Sequence, residues 1–259
     1  MTVGNPLSTA HMPRPDPARG IFETLLVVDG RPVELDAHLD RLAASARELF
    51  GPPAMARVAG PARVLAASSA REPGLARLRL TLAPDARGAL DLSATSADLD
   101  AATVFPSADS GAALAPVAVA GGLGRHKWAD RRLLDQTADA LYGEVPLIVD
   151  GDVLEAERAN VFAVRDDALI TPPDDGRILP GIARARTIGA ARELGIEVRE
   201  LPISLDDLYD ADEIFLTGSI RGIEPVASLA GRPTPSVRAD GPVAGRLAAA
   251  LRGRWLGGA

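Results

Sequence analysis

The sequence predicts an α/β protein of two domains, an α+β domain over residues 1–112 and a larger α/β domain over residues 113–259. Three observations lead there. Short stretches with a period of two recur between stretches of helical period. In the first half, paired strands surround an amphipathic helix, whereas the second half intersperses helices among a longer series of strands. Residues 96–112 are small and polar and lack periodicity, as a linker would.

Residues 21–28 read as a buried strand, Asp29-Gly30 as a hairpin turn and residues 31–35 as its partner. Asp36 is placed to cap a helix in which Leu39, Leu42, Ala43, Ala46 and Leu49 share one apolar face, and Gly51, Pro52 and Pro53 stop it. A second helix is expected over residues 61–69. Leu78, Leu80 and Leu82 then alternate with Arg77, Arg79 and Thr81, and Leu90, Leu92 and Ala94 repeat that pattern after a turn at residues 85–88. Past the linker the expected elements are a strand at 116–120, a helix at 129–142, and strands at 145–149, 153–156, 161–164 and 168–170. A helix at 182–194, strands at 196–201 and 213–216, and a last helix at 242–252 complete the chain.

Composition narrows the function. A net charge of -7 opposes binding to a phosphate backbone, so nucleic acid is not an expected partner. The absence of cysteine excludes a disulfide framework, a thiolate nucleophile and any sulfur-based metal centre. His11, His38 and His126 are scattered without metal-ligand spacing, and no metal is expected. The chain holds neither a signal-peptide core nor an apolar run of membrane-spanning length, which points to a soluble cytoplasmic protein with no membrane partner. Dinucleotide-binding, P-loop and nucleophile-elbow motifs do not occur.

Of the 28 basic side chains 27 are arginine, and Lys127 alone is lysine. A compositional bias that replaces lysine with arginine wherever a charge suffices cannot do so where the chemistry needs a primary amine. Lys127 also lies where a strand, the Gly121–Gly124 loop and a helix meet, a common place for functional groups. Its amine is therefore a candidate for Schiff-base chemistry, which needs a group with an accessible neutral form.

Five segments extend this reading: FETLLVVDGRPVELDAHLDRL (22–42), RHKWADRR (125–132), DGDVLEAERANVF (150–162), TPPDDGRILPGIAR (171–184) and ADEIFLTGSIRGIEPV (211–226). In this order and spacing the chain resembles the fold type IV pyridoxal-phosphate (PLP) enzymes. These are the class IV aminotransferase family, which includes branched-chain and D-amino-acid aminotransferases and aminodeoxychorismate lyase. The resemblance implies a D-amino-acid aminotransferase-like fold with PLP in the cleft between the domains, and a homodimer. It makes Lys127 the Schiff-base lysine that also moves the substrate's α-proton, and Glu155 the partner of the pyridine nitrogen. Arg41 corresponds to the phosphate-gripping arginine. Ile182 and Ala183 open the helix whose backbone N–H groups face the phosphate, Leu179 packs under the ring, and Ser219 closes the phosphate cup. Asn160 is read as holding local structure.

The chain departs from the family pattern in two places. Ala183 stands where threonine is frequent, and Arg131 and Arg132 stand where many relatives carry a tyrosine. The HKWADRR and SIRG stretches resemble those of the lyase branch. They imply a 4-amino-4-deoxychorismate lyase that eliminates pyruvate to give 4-aminobenzoate for folate synthesis, with Arg221 and Arg132 as candidates for the substrate's two carboxylates. The alternatives are an aminotransferase for D- or branched-chain amino acids and a cofactor-free binding subunit of the same fold.

Overall fold

The computed structural model describes residues 6–69, 73–107, 110–234 and 241–257. After the short strand β1 (Leu7–Ser8), strand β2 (Ile21–Val28) turns through Asp29 and Gly30, both at positive φ as a tight hairpin requires, into β3 (Arg31–Pro32). Helices α1 (Leu35–Phe50) and α2 (Pro52–Ser69) follow, then strands β4 (Leu75–Pro84) and β5 (Leu90–Asp98). The four strands form an antiparallel sheet in the order β3-β2-β4-β5. Ile21, Leu25 and Val27 of β2 and Leu78, Leu80 and Leu82 of β4 meet Leu39, Leu42 and Ala46 of α1 and Val58 and Ala62 of α2 in one core.

Two local expectations are corrected here. Asp36 does not cap α1: Glu34, in a left-handed conformation, precedes the helix, and Asp36 lies in the first turn, where the helix dipole still favours an acid. The second helix begins at Pro52 rather than at residue 61. Proline ends a helix but also suits the first turn of the next, whose N–H groups have no intrahelical acceptor, so Gly51-Pro52-Pro53 does both.

The remaining elements are β6 (Ala112–Ala118), α3 (Arg132–Ala140), β7 (Val145–Asp150), β8 (Asp152–Ala156), β9 (Ala159–Arg165), β10 (Ala168–Thr171) and α4 (Ile182–Glu193). They continue with β11 (Val198–Glu200), α5 (Leu205–Tyr209), β12 (Glu213–Gly218), β13 (Gly222–Leu229), β14 (Arg232–Pro233) and α6 (Pro242–Leu256). The sheet runs β1-β6-β7-β8-β9-β12-β13-β14, and β13 also pairs with β6, so six of its strands close on themselves. Closure leaves those strands without an edge and encloses Leu114, Leu147, Val161, Ala163, Ile214, Leu216 and Val226. Strand β13 has no counterpart in the sequence reading because Pro225 interrupts its apolar pattern.

By internal contacts the chain forms two compact units, one of residues 14–103 and 126–132, the other of 1–13, 104–125 and 133–259. The sequence reading draws a single line near residue 112. The contacts instead give residues 126–132 to the smaller unit, because they pair with β2: Phe22 N–H donates to the Lys127 carbonyl and Ala129 N–H to that of Gly20, each at 2.9 Å. Among the described residues, no helix is long and apolar enough to cross a membrane, and no cluster of acids and histidines is arranged to hold a metal ion.

Candidate active site

In the smaller unit the chemistry gathers around β2. Its alternation sends Ile21, Leu25 and Val27 into the core beneath the helices, and Glu23 shares their side of the strand. Glu23 is 1% exposed, and a carboxylate so placed must be paired. Arg41 donates to it through Nε (2.8 Å) and Nη2 (2.7 Å), and His38 Nδ1 lies 2.7 Å from Oε2. Burial pushes the Glu23 carboxyl up, but the Arg41 charge and the hydrogen bonds from Arg41 and His38 outweigh it and hold it at about 2. Burial holds His38 below its ordinary value although Glu23 opposes that shift, so the ring is neutral with its proton on Nδ1.

Phe22 occupies the other face of β2. Arg79 of β4 lies with Cζ 3.8 Å from the centroid of the Phe22 ring, and Lys127 Nζ lies 5.1 Å from it. Burial, then the neighbouring cations Arg131 and Arg77, lower the Arg79 guanidinium. Positive charge is thus concentrated about one aromatic ring beside the only lysine. Arg132 is committed elsewhere: its Nε and Nη2 donate to the buried Asp130 at 2.8 and 2.6 Å. These hydrogen bonds keep Asp130 well below the usual carboxylate range in spite of its burial.

In the larger unit, cross-strand register builds a second constellation. Glu155 pairs with Asn160 across β8 and β9, and Asn160 pairs with Thr217 across β9 and β12, which puts three polar side chains in a row on one face. Glu155 reaches that face through a bulge. The pairing of β7 with β8 shifts between Ile148↔Glu155 and Val149↔Val153, leaving Leu154 as the extra residue that turns Glu155. The row then grips the loop before α4 at one residue: Leu179 N–H donates to Glu155 Oε2 at 3.1 Å, and Asn160 Nδ2 donates to the Leu179 carbonyl at 3.0 Å.

Glycines make this approach possible. A Cβ on Gly181 would meet Asn160 Oδ1 at 1.9 Å, and one on Gly122 would meet the Arg177 carbonyl at 2.1 Å. Gly124 N–H donates to that same carbonyl, so the glycine-rich loop braces the segment leading to Leu179. Gly181 is the N-cap of α4, and no side chain caps the helix, leaving the backbone N–H groups of its first turn to an outside acceptor. Thr217 is 2% exposed and its hydroxyl has no hydrogen-bond partner. Ser219 follows at the end of β12 and is half-buried, while Arg221 forms an ion pair with Glu224 at 2.7 Å.

The model of the family described as amino-transferase class IV matches residues 20–229. The chain belongs to that family. A stretch of 113 residues is 42% identical to the branched-chain-amino-acid aminotransferase of Escherichia coli K12, covering 44% of this chain and 36% of that enzyme, so the match spans about a third of the relative's length. Among solved structures, a hypothetical aminotransferase from Mycobacterium tuberculosis in PLP-bound form superposes with a TM-score of 0.74 at 26% identity, over 99% of this chain and 95% of that one. The 4-amino-4-deoxychorismate lyase from Pseudomonas aeruginosa superposes at 0.73 and 26% identity, over 91% and 90%.

Class IV aminotransferases are PLP-dependent enzymes, and PLP is this chain's cofactor. The residues present suit it. An uncapped helix start and an unpartnered buried hydroxyl are donors waiting for an anion, and a buried carboxylate suits a protonated pyridine nitrogen. Of the residues singled out in the sequence, Glu155, Leu179, Ile182, Ala183 and Ser219 belong to the larger unit, and Lys127 and Arg41 to the smaller. Arg132 and Arg221 each already have a carboxylate partner. Sequence reasoning passed over Glu23, His38, Arg79 and Thr217. Glu23 and His38 lie in a segment whose family match points to Arg41, and Arg79 reads as the outward position of a half-exposed strand.

Proposed function

We propose that the chain is a PLP-dependent 4-amino-4-deoxychorismate lyase that releases pyruvate and leaves 4-aminobenzoate, a product for folate synthesis. The observation that carries the reading is the positive cluster about Phe22, where Arg79 and Lys127 share the ring and Arg131 and Arg77 are the nearby charges. A substrate with two carboxylates is drawn to such a cluster, whereas a branched-chain amino acid brings an apolar side chain that gains nothing from it. Arg79 and Arg131 are accordingly preferred over Arg132 and Arg221 as substrate contacts.

PLP, when bound, supplies an electron sink for the carbon that bears the substrate's amine. The side chains of this chain do the rest. Lys127 supplies the amine that holds the cofactor and then takes the proton from that carbon. Glu155, with one oxygen accepting from Leu179 N–H, keeps the pyridine nitrogen protonated. Arg41, Ser219 and the α4 N–H groups of Ile182 and Ala183 hold the phosphate, and Leu179 supports the ring. On the substrate, the C–O bond to the enolpyruvyl group breaks and its electron pair leaves with the oxygen. Protonation of that enolate gives pyruvate, and the remaining ring becomes aromatic, which drives the reaction. The proposal includes the cytoplasmic homodimer that the family resemblance implies.

The identity to the E. coli branched-chain enzyme favours a second reading, an aminotransferase using the same cofactor contacts. Incubating the purified protein with 4-amino-4-deoxychorismate, and separately with an amino-acid panel and 2-oxoglutarate, separates the two. Equimolar pyruvate and 4-aminobenzoate are expected; transamination alone would sink the lyase reading.

A further inference from the structure

Glu23 is an expensive residue for its position. Its neighbours on the same side of β2, Ile21, Leu25 and Val27, are core aliphatics, and an aliphatic at 23 would continue that core. A buried ion pair gives little net stability over well-packed apolar side chains, because desolvation offsets the attraction. The carboxylate therefore needs a reason other than stability, and its geometry supplies one. Both oxygens are engaged by a single helix face: His38 and Arg41 are three residues apart on α1 and converge on Glu23 at 2.7 to 2.8 Å. The pair with Arg41 uses the Nε–Nη2 edge of the guanidinium, and two parallel bonds along one edge fix both its plane and its direction. Nη1 lies outside this pair. His38 bonds to Oε2, the oxygen that also takes Nη2, so the histidine orients the carboxylate that orients the arginine.

We propose that Glu23, itself held by His38, is the positioning residue for Arg41, presetting the guanidinium for the phosphate group of the cofactor. The proposal rests on the reading of Arg41 as a phosphate-binding residue. Its logic is preorganisation: an arginine already fixed in its bound rotamer loses less freedom when the phosphate arrives than a mobile one does. Glu23→Gln keeps the shape but puts an amide NH2 where one acceptor stood, so one of the three bonds is lost. His38→Leu removes the outer member of the chain, and His38→Asn returns an N–H donor near the place of Nδ1.

The test is a titration of the full chain, stripped of cofactor, with PLP and with pyridoxal, which lacks the phosphate, followed by the visible absorbance of the bound form. Glu23→Gln is expected to weaken PLP roughly ten-fold or more, a loss typical of removing a ligand's supporting partner, and to leave pyridoxal unchanged. In an Arg41→Met background the same substitution is expected to add no further loss. His38→Leu should fall between Glu23→Gln and the unaltered protein, with His38→Asn recovering most of the difference. Wild-type PLP affinity in Glu23→Gln, equal losses for PLP and pyridoxal, or a loss fully additive with Arg41→Met would each overturn the proposal. Should Glu23→Gln not fold, His38→Leu carries the same comparison, and a PLP-specific loss reversed by asparagine decides for it. An Arg41→Met protein that binds PLP normally has a separate meaning: it refutes the phosphate role of Arg41 and the positioning role with it.

Discussion

In the proposed mechanism Lys127 is the residue on which the chemistry turns, and that role is separable from its charge. Arginine at 127 would keep a cation beside Phe22 but provide no amine able to condense with an aldehyde. Lys127→Arg is expected to abolish turnover and the visible cofactor band together; activity within ten-fold of the unaltered protein would refute the role. Thr217 offers a subtler test, because its buried hydroxyl lacks a partner. Thr217→Val is expected to stabilise the cofactor-free protein by about 1 kcal/mol while reducing the rise in Tm that PLP confers, and differential scanning calorimetry with and without PLP reads both. Lys127, Arg41 and Glu155 could be proposed from the sequence because each sits in a motif with a compositional or spacing signal. Glu23 could not, since a single acid in a strand read as buried shows no partner until the helix that pairs with it is placed over it.

Among the elements, the bulge in β8 and the loop before α4 decide whether the side chains at Glu155 and Leu179 are presented at all. Leu154 is the extra residue that sends Glu155 to the face of Asn160 and Thr217. Gly181 lets the loop descend onto Asn160. Gly181→Ala must displace the Asn160 amide and, with it, the bond to the Leu179 carbonyl. The expected cost is roughly 1–3 kcal/mol of stability, as for other overpacked sites, together with weaker PLP binding; urea unfolding and a PLP titration measure the two, and an unchanged protein would show that the close approach is dispensable. Most strands and the long helices were legible from their periods. The bulge was not, because one extra residue in a strand of five leaves no trace in an apolar pattern. The start of α2 was missed because Gly51-Pro52-Pro53 punctuates two helices at once.

At the scale of the whole molecule, the return of residues 126–132 to the smaller unit and the closed sheet emerge only from long-range pairing, such as residues 126–129 with β2 and β13 with β6. Local sequence carries no record of such partners. Stability should fall on the acid side for a stated reason. The folded protein keeps His38 below its ordinary 6.5 and Glu23 at about 2 rather than 4.5, so the unfolded chain binds more protons as pH drops. The contribution is complete above about pH 6.5; His38 begins to erode it below that, and Glu23 removes roughly 3 kcal/mol more as pH falls from 4.5 toward 2. Unfolding midpoints measured from pH 7.5 to pH 3 should decline throughout, with a shallower lower limb in Glu23→Gln; identical limbs would contradict the assignment.

The central claim is that one lysine among 28 basic residues carries the cofactor. Borohydride reduction of the PLP-loaded protein, followed by digestion and mass spectrometry, tests it most directly. A single pyridoxyl-phosphate adduct on the peptide containing Lys127 is the predicted result, and a loaded protein with no adduct there would contradict it.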